Sequence, residues 1–135
     1  MSDELIERIK KDEGFRGNVY KDSLGYDTVG YGTKMPITKL EATMLLRGRL
    51  YQKKEELERK EPYFKYLPEP IANVILEMAY QLGVNGVLKF KKMWKALKDG
   101  DYEKASDEML DSRWAVQTPN RAKRLSNIVR NFENV

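Results

Sequence analysis

Two acidic residues near the N-terminus, Glu13 and Asp22, flank the stretch where the helical pattern of the sequence stops. The stretch is rich in glycine and tyrosine and contains one threonine, Thr28. Two carboxyl groups in different surroundings can hydrolyse a glycosidic bond, because one protonates the leaving oxygen while the other, ionised, attacks or positions water. Taken alone, the pair is better explained as two surface charges, since the chain has 21 acidic residues.

The amino-acid composition narrows the chemistry that the chain can perform. It contains no histidine and no cysteine, which excludes Ser-His and Cys-His nucleophiles, thiolates and cysteine-ligated zinc. Proton transfer must therefore fall to carboxylates, lysines or tyrosines. The acidic residues do not follow a calcium-loop spacing, and the sequence suggests no metal and no cofactor.

The net charge of +4 and the pI near 9.2 admit two interpretations. An anionic partner such as nucleic acid, a cell-wall polymer or a membrane surface is one, and ordinary surface charge is the other. No apolar run approaches the length of a membrane span, and the acidic N-terminus lacks the basic region of a secretory signal. We therefore expect synthesis in a cytoplasm without membrane insertion.

The elements around the carboxyl pair are a short helix and a β-hairpin. Apolar residues at helical spacing, with Gly14 as a stop signal, predict a first helix that ends near Glu13. Strand-forming and turn-forming residues predict a hairpin over residues 18–33. If residues 26–32 form an extended run, Thr28 shares a face with Gly30, where a ligand could approach closely. A strand-forming role alone would also explain Thr28.

The rest of the chain reads as helical. Thr38 and Glu41 match a capping box that opens a helix reaching about Lys60, and the charged second half of this helix predicts a solvated bridge between two lobes. Residues 71–82 predict a central buried helix ended by Gly83, with a turn at 84–86. Further helices are expected around residues 90–97, from 102 to 110 and from Thr118–Pro119 onward. The expected fold class is α+β, mostly α, with both tryptophans in the core.

Three separated motifs resemble the phage-type lysozyme family. They are Glu13–Arg16 with Tyr20–Asp22 and Gly25–Gly32; Ala79–Gly83 with Gly86, Val87 and Phe90; and Ser112–Trp114 with Gln117–Arg124. The resemblance covers residues from about 4 to 33 and from about 38 to 130. It implies one lysozyme domain over residues 1–135, with a small lobe at 12–50 and a helical C-terminal lobe at 61–135 joined by the helix 1–11.

The resemblance also implies roles for individual residues. Glu13 takes the general-acid role, Asp22 is the second carboxylate, and Thr28 helps to hold the attacking water. Arg121 corresponds to the arginine that pairs with the catalytic glutamate and so supports it. The positions expected to bind substrate are Tyr80 as a sugar-stacking surface, Gln81 and Gln117 as hydrogen-bonding groups, and, by weaker correspondence, Lys34, Met93 and Glu108.

The function implied is hydrolysis of the β-1,4 bond between N-acetylmuramic acid and N-acetylglucosamine in bacterial peptidoglycan, with inversion. Inversion would need a carboxyl separation of roughly 6.5–9.5 Å. We expect a monomer that binds peptidoglycan and not nucleic acid, made in the cytoplasm of an infected bacterium and acting on the periplasmic wall after release. The alternative is a non-catalytic wall-binding protein on the same scaffold.

The chain departs from the family pattern after the hairpin. Thr33 and Arg49 stand where the family's best-known member has a histidine and its acidic partner, so that ion pair is lost as a unit. Residues 33–37 form a short link where the family representative has an additional strand and helix along one wall of the cleft. We therefore expect a reduced N-terminal lobe.

Overall fold

The computed structural model describes residues 1–132, and these form eight α-helices, one 3₁₀ helix and a three-stranded sheet. In chain order they are α1 Asp3–Glu13, β1 Arg16–Lys21, β2 Asp27–Gly30, β3 Thr33–Lys34, α2 Lys39–Lys60, the 3₁₀ helix Pro62–Tyr66, α3 Glu69–Leu82, α4 Val84–Leu88, α5 Lys91–Lys98, α6 Tyr102–Leu110, α7 Arg113–Gln117 and α8 Pro119–Arg130. The predicted α+β, mostly α fold class is confirmed.

The chain divides into two compact units, Met1–Leu45 and a second that begins at Leu46. The boundary falls inside α2, the helix that the sequence predicts as a bridge. This division places α1 in the first unit. The grouping of residues 1–11 with the C-terminal lobe stays a prediction.

The first unit consists of α1, the sheet and the start of α2. The Ser2 hydroxyl accepts from the Leu5 N–H at 3.2 Å and opens α1, and Gly14 ends the helix with a φ of 70°. The predicted hairpin is instead a three-stranded antiparallel sheet in the order β1-β2-β3. The expected extended run over residues 26–32 stops at Gly30, because Gly30 and Gly32 both adopt positive φ and turn the chain into β3.

The predicted capping box is confirmed at the start of α2. The Thr38 hydroxyl accepts from the Glu41 N–H at 3.2 Å, and the Glu41 carboxylate accepts from the Thr38 N–H at 2.9 Å. Near the end of the helix Lys60 pairs with Glu56, four residues earlier. Leu57, the one apolar residue of the charged stretch, is fully buried.

The second unit has an apolar core centred on α3. Five residues of α3 are buried, and they follow the predicted helical spacing: Ile71, Val74, Ile75, Met78 and Ala79. Gly83 ends the helix as predicted. The core continues through the buried faces of α4 to α8, and it includes both tryptophans as predicted.

One prediction in this unit is wrong. Residues 84–86 do not form a turn but begin α4, because Val84 and Val87, three apart, are both buried on one helical face. The predicted start of the last helix is confirmed, since Thr118 is the N-cap residue of α8 and Pro119 its first residue, but the Thr118 side chain does not cap the helix. Its hydroxyl donates to the Trp114 carbonyl at 3.1 Å instead.

Candidate active site

Glu13 is the last residue of α1, and its carboxylate lies against the turn between β2 and β3. A Cβ atom added at Gly32 would lie only 2.6 Å from Glu13 Oε2 and 2.8 Å from Glu13 Cδ. Gly32 also has a φ of 75°, which an L side chain rarely adopts. A side chain at position 32 would therefore need both a strained backbone and a displaced Glu13 carboxylate.

Asp22 follows β1, and the next four residues fold back around its carboxylate. Asp22 Oδ1 accepts from the N–H groups of Leu24 at 2.9 Å and Tyr26 at 2.8 Å. The turn is closed by the Asp22 N–H, which donates to the Tyr26 carbonyl, and by the Gly25 N–H, which donates to the Asp22 carbonyl. This local loop fixes Asp22 Oδ1 by backbone groups alone.

The second oxygen of Asp22 faces a lysine from β3. Lys34 Nζ lies 2.6 Å from Asp22 Oδ2. This hydrogen bond, followed by the Tyr26 N–H, holds the pKa of Asp22 below its ordinary value. The same bond raises the pKa of Lys34. Asp22 is therefore suited to remain an ionised carboxylate.

Thr28 lies in β2 and is 2 % exposed, the only buried residue of the fully described segment 1–45. Its hydroxyl donates to the Tyr26 carbonyl at 2.9 Å, which leaves its oxygen free to accept. Thr28 is also the Cα partner of Tyr20 in β1 and of Lys34 in β3. Directly opposed residues share a face of the sheet, so the sheet brings Thr28 and Lys34 together beside Asp22.

Tyr80 and Gln81 lie in the last turn of α3 in the second unit. Tyr80 is 47 % exposed, as a sugar-stacking surface would need to be. Gln81 Oε1 accepts from the indole N–H of Trp114 at 2.9 Å, and Gln81 Nε2 lies 3.4 Å from the Thr118 hydroxyl. The buried indole N–H of Trp114 thus has an acceptor, and one oxygen and one nitrogen of Gln81 are engaged inside the unit.

The other predicted substrate-binding residues of the second unit lie around one cavity of about 540 Å³. Gln117 and Glu108 both line it, as does Met93, although Met93 is only 1 % exposed. Phe90 and Trp114 stand edge-on 6.1 Å apart in the same lining. The predicted contacts at these positions stay predictions, and the burial of Met93 favours shaping the cavity over direct contact with a ligand.

Arg121, at the start of α8, donates from Nε to Glu77 Oε2 of α3 at 2.9 Å. The sequence does not predict this partner. A guanidinium carries five N–H donors, so the terminal nitrogens remain available for the expected pairing with the catalytic glutamate, which stays a prediction.

Residues 1–132 contain no cluster of acidic side chains able to hold a metal ion. Within the same range, each helix is too short or too polar to cross a lipid bilayer.

The sequence matches the family model described as phage lysozyme over residues 10–131, a range that includes Glu13, Asp22 and Thr28. The chain belongs to the phage lysozyme family. The family is one of enzymes that hydrolyse peptidoglycan, and the enzyme class predicted from the sequence is thereby confirmed.

Relatives within the lysozyme family are found in a phage and in an amoeba. The chain is 31 % identical to the pre-baseplate central spike protein Gp5 of Enterobacteria phage T4, over 93 % of the chain and 27 % of that protein. It thus spans about a quarter of the spike protein's length. It is 28 % identical to probable T4-type lysozyme 1 of Dictyostelium discoideum, over 96 % of the chain and 95 % of that protein. A second lysozyme of that organism, probable T4-type lysozyme 2, is 25 % identical over 95 % of the chain.

The alignments with these lysozyme-family proteins are longer than the chain itself. They extend over 156 and 162 positions, whereas the chain has 135 residues. The relatives therefore contain residues without a counterpart here, as expected for a reduced lysozyme. That the missing residues follow Thr33 stays a prediction.

Two features of the lysozyme site escape sequence reasoning. The first is the contact of Glu13 with Gly32, for which the only signal is the repeated glycine of Gly30–Tyr31–Gly32. The second is the ion pair between Lys34 and Asp22, because Lys34 was predicted only as a substrate contact. The first is a contact between α1 and the turn that precedes β3, and the second depends on the register of β3; no local sequence signal indicates either.

Proposed function

We propose that the protein is a muramidase that hydrolyses, with inversion, the β-1,4 bond between N-acetylmuramic acid and N-acetylglucosamine. The observation that carries the proposal is the contrast between its two carboxylates. Asp22 accepts three hydrogen bonds and stays ionised. Within residues 1–45, Glu13 forms no ion pair and no side-chain hydrogen bond, and it is exposed. The lowered pKa suits Asp22 to the role of the ionised carboxylate, and the proposal assigns the role of the acid to Glu13.

In the proposed reaction Glu13 donates its proton to the glycosidic oxygen, and the bond from that oxygen to the anomeric carbon breaks. Water adds to the anomeric carbon from the opposite face and passes its proton to Asp22, while the ionised carboxylate stabilises the positive charge that develops on the sugar. Thr28, whose hydroxyl oxygen can still accept, is proposed to orient that water.

The test compares the wild type with Glu13→Gln on purified peptidoglycan. Loss of the general acid should lower the rate by about 10²- to 10⁴-fold. Glu7→Gln is the matched control, because Glu7 is an exposed carboxylate on the same helix, paired only with Lys10 in the first unit. The control should retain the wild-type rate.

The same comparison distinguishes the proposed muramidase from the alternative, a non-catalytic wall-binding protein. Such a protein would bind peptidoglycan equally well as wild type or as Glu13→Gln, and neither would release soluble products. Equal rates for the two proteins would refute the proposed role of Glu13.

For the biological role, we propose that the protein acts on the wall during lysis or penetration of a bacterial host, from the cytoplasmic side or as part of a particle. The identity with a phage spike protein supports the route as part of a particle, whereas the match over nearly the whole length of a lysozyme supports a protein that acts as a free enzyme. Expression in a Gram-negative bacterium should leave cells intact until the inner membrane is permeabilised. Lysis on expression alone would contradict the need for release.

A further inference from the structure

We propose that Lys34 is a positioning residue that holds the Asp22 carboxylate ionised and in one orientation. The inference rests on the proposed function, since it assigns Asp22 the role of the ionised carboxylate. It differs from the sequence-based role of Lys34 as a saccharide contact. It also means that a residue of β3 determines how far the activity of the enzyme extends to low pH.

The geometry gives each oxygen of Asp22 a separate anchor. The loop that follows β1 holds Oδ1 through the N–H groups of Leu24 and Tyr26, and among residues 1–132 Lys34 alone donates to Oδ2. The Asp22 side chain is 16 % exposed, whereas that of Lys34 is 58 % exposed. The carboxylate is therefore enclosed by its three donors, while the lysine can be replaced without opening a core.

The register of the sheet places Lys34 beside Asp22. Lys34 is the Cα partner of Thr28, and Thr28 is the partner of Tyr20, two residues before Asp22. Asp22 comes directly after β1, and the distance of 2.6 Å between its Oδ2 and Lys34 Nζ shows that the two side chains meet at this end of the sheet. The Lys34 ammonium is also 5.5 Å from the centre of the Tyr26 ring, which restricts it further.

Other charged and titratable groups surround the pair. Glu13 of α1 and Tyr20 of β1 both act on Lys34 electrostatically and, like Asp22, favour its charged form. Lys34 therefore interacts electrostatically with both carboxylates of the proposed mechanism. It forms a hydrogen bond with Asp22. An ion pair this exposed adds little to stability, so its consequence lies in the ionisation and orientation of Asp22.

The sign of the pH effect follows from the direction of the shift. A donor that binds the ionised carboxylate lowers the pKa of Asp22. Because the proposed reaction needs Asp22 ionised, the wild-type enzyme should remain active as the pH falls below the ordinary pKa of an aspartate. Without Lys34 the acid limb of the rate profile should move to higher pH. The loss of rate should be largest at acid pH, where Asp22 then binds a proton, and any loss near neutral pH reports the loss of orientation alone.

Another ion pair in the same sheet supplies a matched control. Lys21 Nζ lies 2.6 Å from Asp27 Oδ1, and the two residues are Cα partners across β1 and β2. Lys21→Met removes the same charge and an ion pair of the same length as Lys34→Met, but it leaves Asp22 untouched. Lys34→Arg retains the charge and should restore much of the wild-type profile.

The experiment measures two quantities on the intact protein and on Lys34→Met, Lys34→Arg and Lys21→Met. The first is the titration of the Asp22 carboxyl carbon by NMR, which requires no activity. The second is kcat and KM for peptidoglycan fragments across the acid range. We expect the Asp22 midpoint and the acid limb of kcat to move upward together in Lys34→Met and to stay in place in Lys21→Met.

The possible failures are distinguishable. An Asp22 midpoint that is the same in Lys34→Met and wild type would overturn the role of Lys34, even if the enzyme hydrolyses peptidoglycan. A higher KM with an unmoved acid limb would return Lys34 to the role of a substrate contact. A shifted NMR midpoint in a protein without hydrolytic activity would retain the positioning role and refute the proposed function instead.

Discussion

Each of the two compact units is stabilised internally by a different kind of interaction. The second unit contains all twenty buried hydrophobic residues found in the described part of the chain, from Leu57 to Val129. Residues 1–45, which the structure describes in full, bury only a threonine, and that residue is polar. Their shape depends on capping groups, turns, glycines with positive φ and cross-strand ion pairs.

This difference assigns stability and chemistry to separate parts of the molecule. Apolar packing contributes most of the free energy of folding, so substitutions in the second unit should act on stability. The carboxylates of the first unit are positioned by hydrogen bonds and close backbone approach, so substitutions there should act on the reaction. Three comparisons test this division, beginning with the largest expected effect.

The first comparison truncates the same residue type in each unit. Ile75 is fully buried in α3, whereas Ile6 in α1 is 38 % exposed. Ile75→Ala should lower the free energy of unfolding by about 2–5 kcal/mol, and Ile75→Val by about 0.5–1.5 kcal/mol, because each leaves a cavity. Ile6→Ala should cost well under half as much as Ile75→Ala. Denaturant unfolding measures all three, and equal losses at the two sites would contradict the division.

The second comparison concerns two glycines of the sheet. Gly32→Ala places a Cβ within 2.6 Å of the Glu13 carboxylate, whereas Gly30→Ala, at a similar φ of 72°, meets nothing within 4 Å. Both variants should suffer the backbone strain of an L residue at positive φ. Only Gly32→Ala should displace Glu13, and a misplacement of about 1 Å can lower a catalytic rate by about 10²-fold.

Steady-state rates on peptidoglycan, measured where both glycine variants are folded, separate the two effects. If Gly30→Ala lost as much activity as Gly32→Ala, strain in the turn and not the position of Glu13 would be the cause.

The third comparison asks whether Gln81 belongs to the stability of the second unit or to its substrate contacts. Gln81→Met leaves the buried indole N–H of Trp114 without its acceptor and should lower the free energy of unfolding by about 1–3 kcal/mol. In a Trp114→Phe background the same substitution should cost less, as in a double-mutant cycle. Unchanged stability together with a raised KM would assign Gln81 to the substrate.

The difference between signals within one element and packing between elements explains what the sequence could predict. The α3 helix and the Thr38–Glu41 capping box were correct because their signals lie within a few residues of each other. The turn predicted at residues 84–86 was wrong because burial of Val84 and Val87 outweighed the local turn residues. Local signals thus predict structure in either unit where they lie within one element, and they fail where packing between elements decides.

The candidate site was predictable in residue type but not in geometry. Glu13, Asp22 and Thr28 follow from the sequence, and in the structure they occupy the end of α1, the loop after β1 and the interior of β2. The pairing of Asp22 with Lys34 joins residues twelve apart and depends on the register of β3. That register depends on the positive φ angles of Gly30 and Gly32. The sequence shows that glycine allows such angles but not that they are adopted.

The most direct test of the central claim, that Glu13 and Asp22 hydrolyse a glycosidic bond by inversion, is analysis of the first products from purified peptidoglycan. Mass spectrometry should find muropeptides with N-acetylmuramic acid at the reducing end, and NMR at early times should find its α-anomer. A first-formed β-anomer would contradict inversion. Products with N-acetylglucosamine at the reducing end, or products cut only in the peptide, would contradict the muramidase itself.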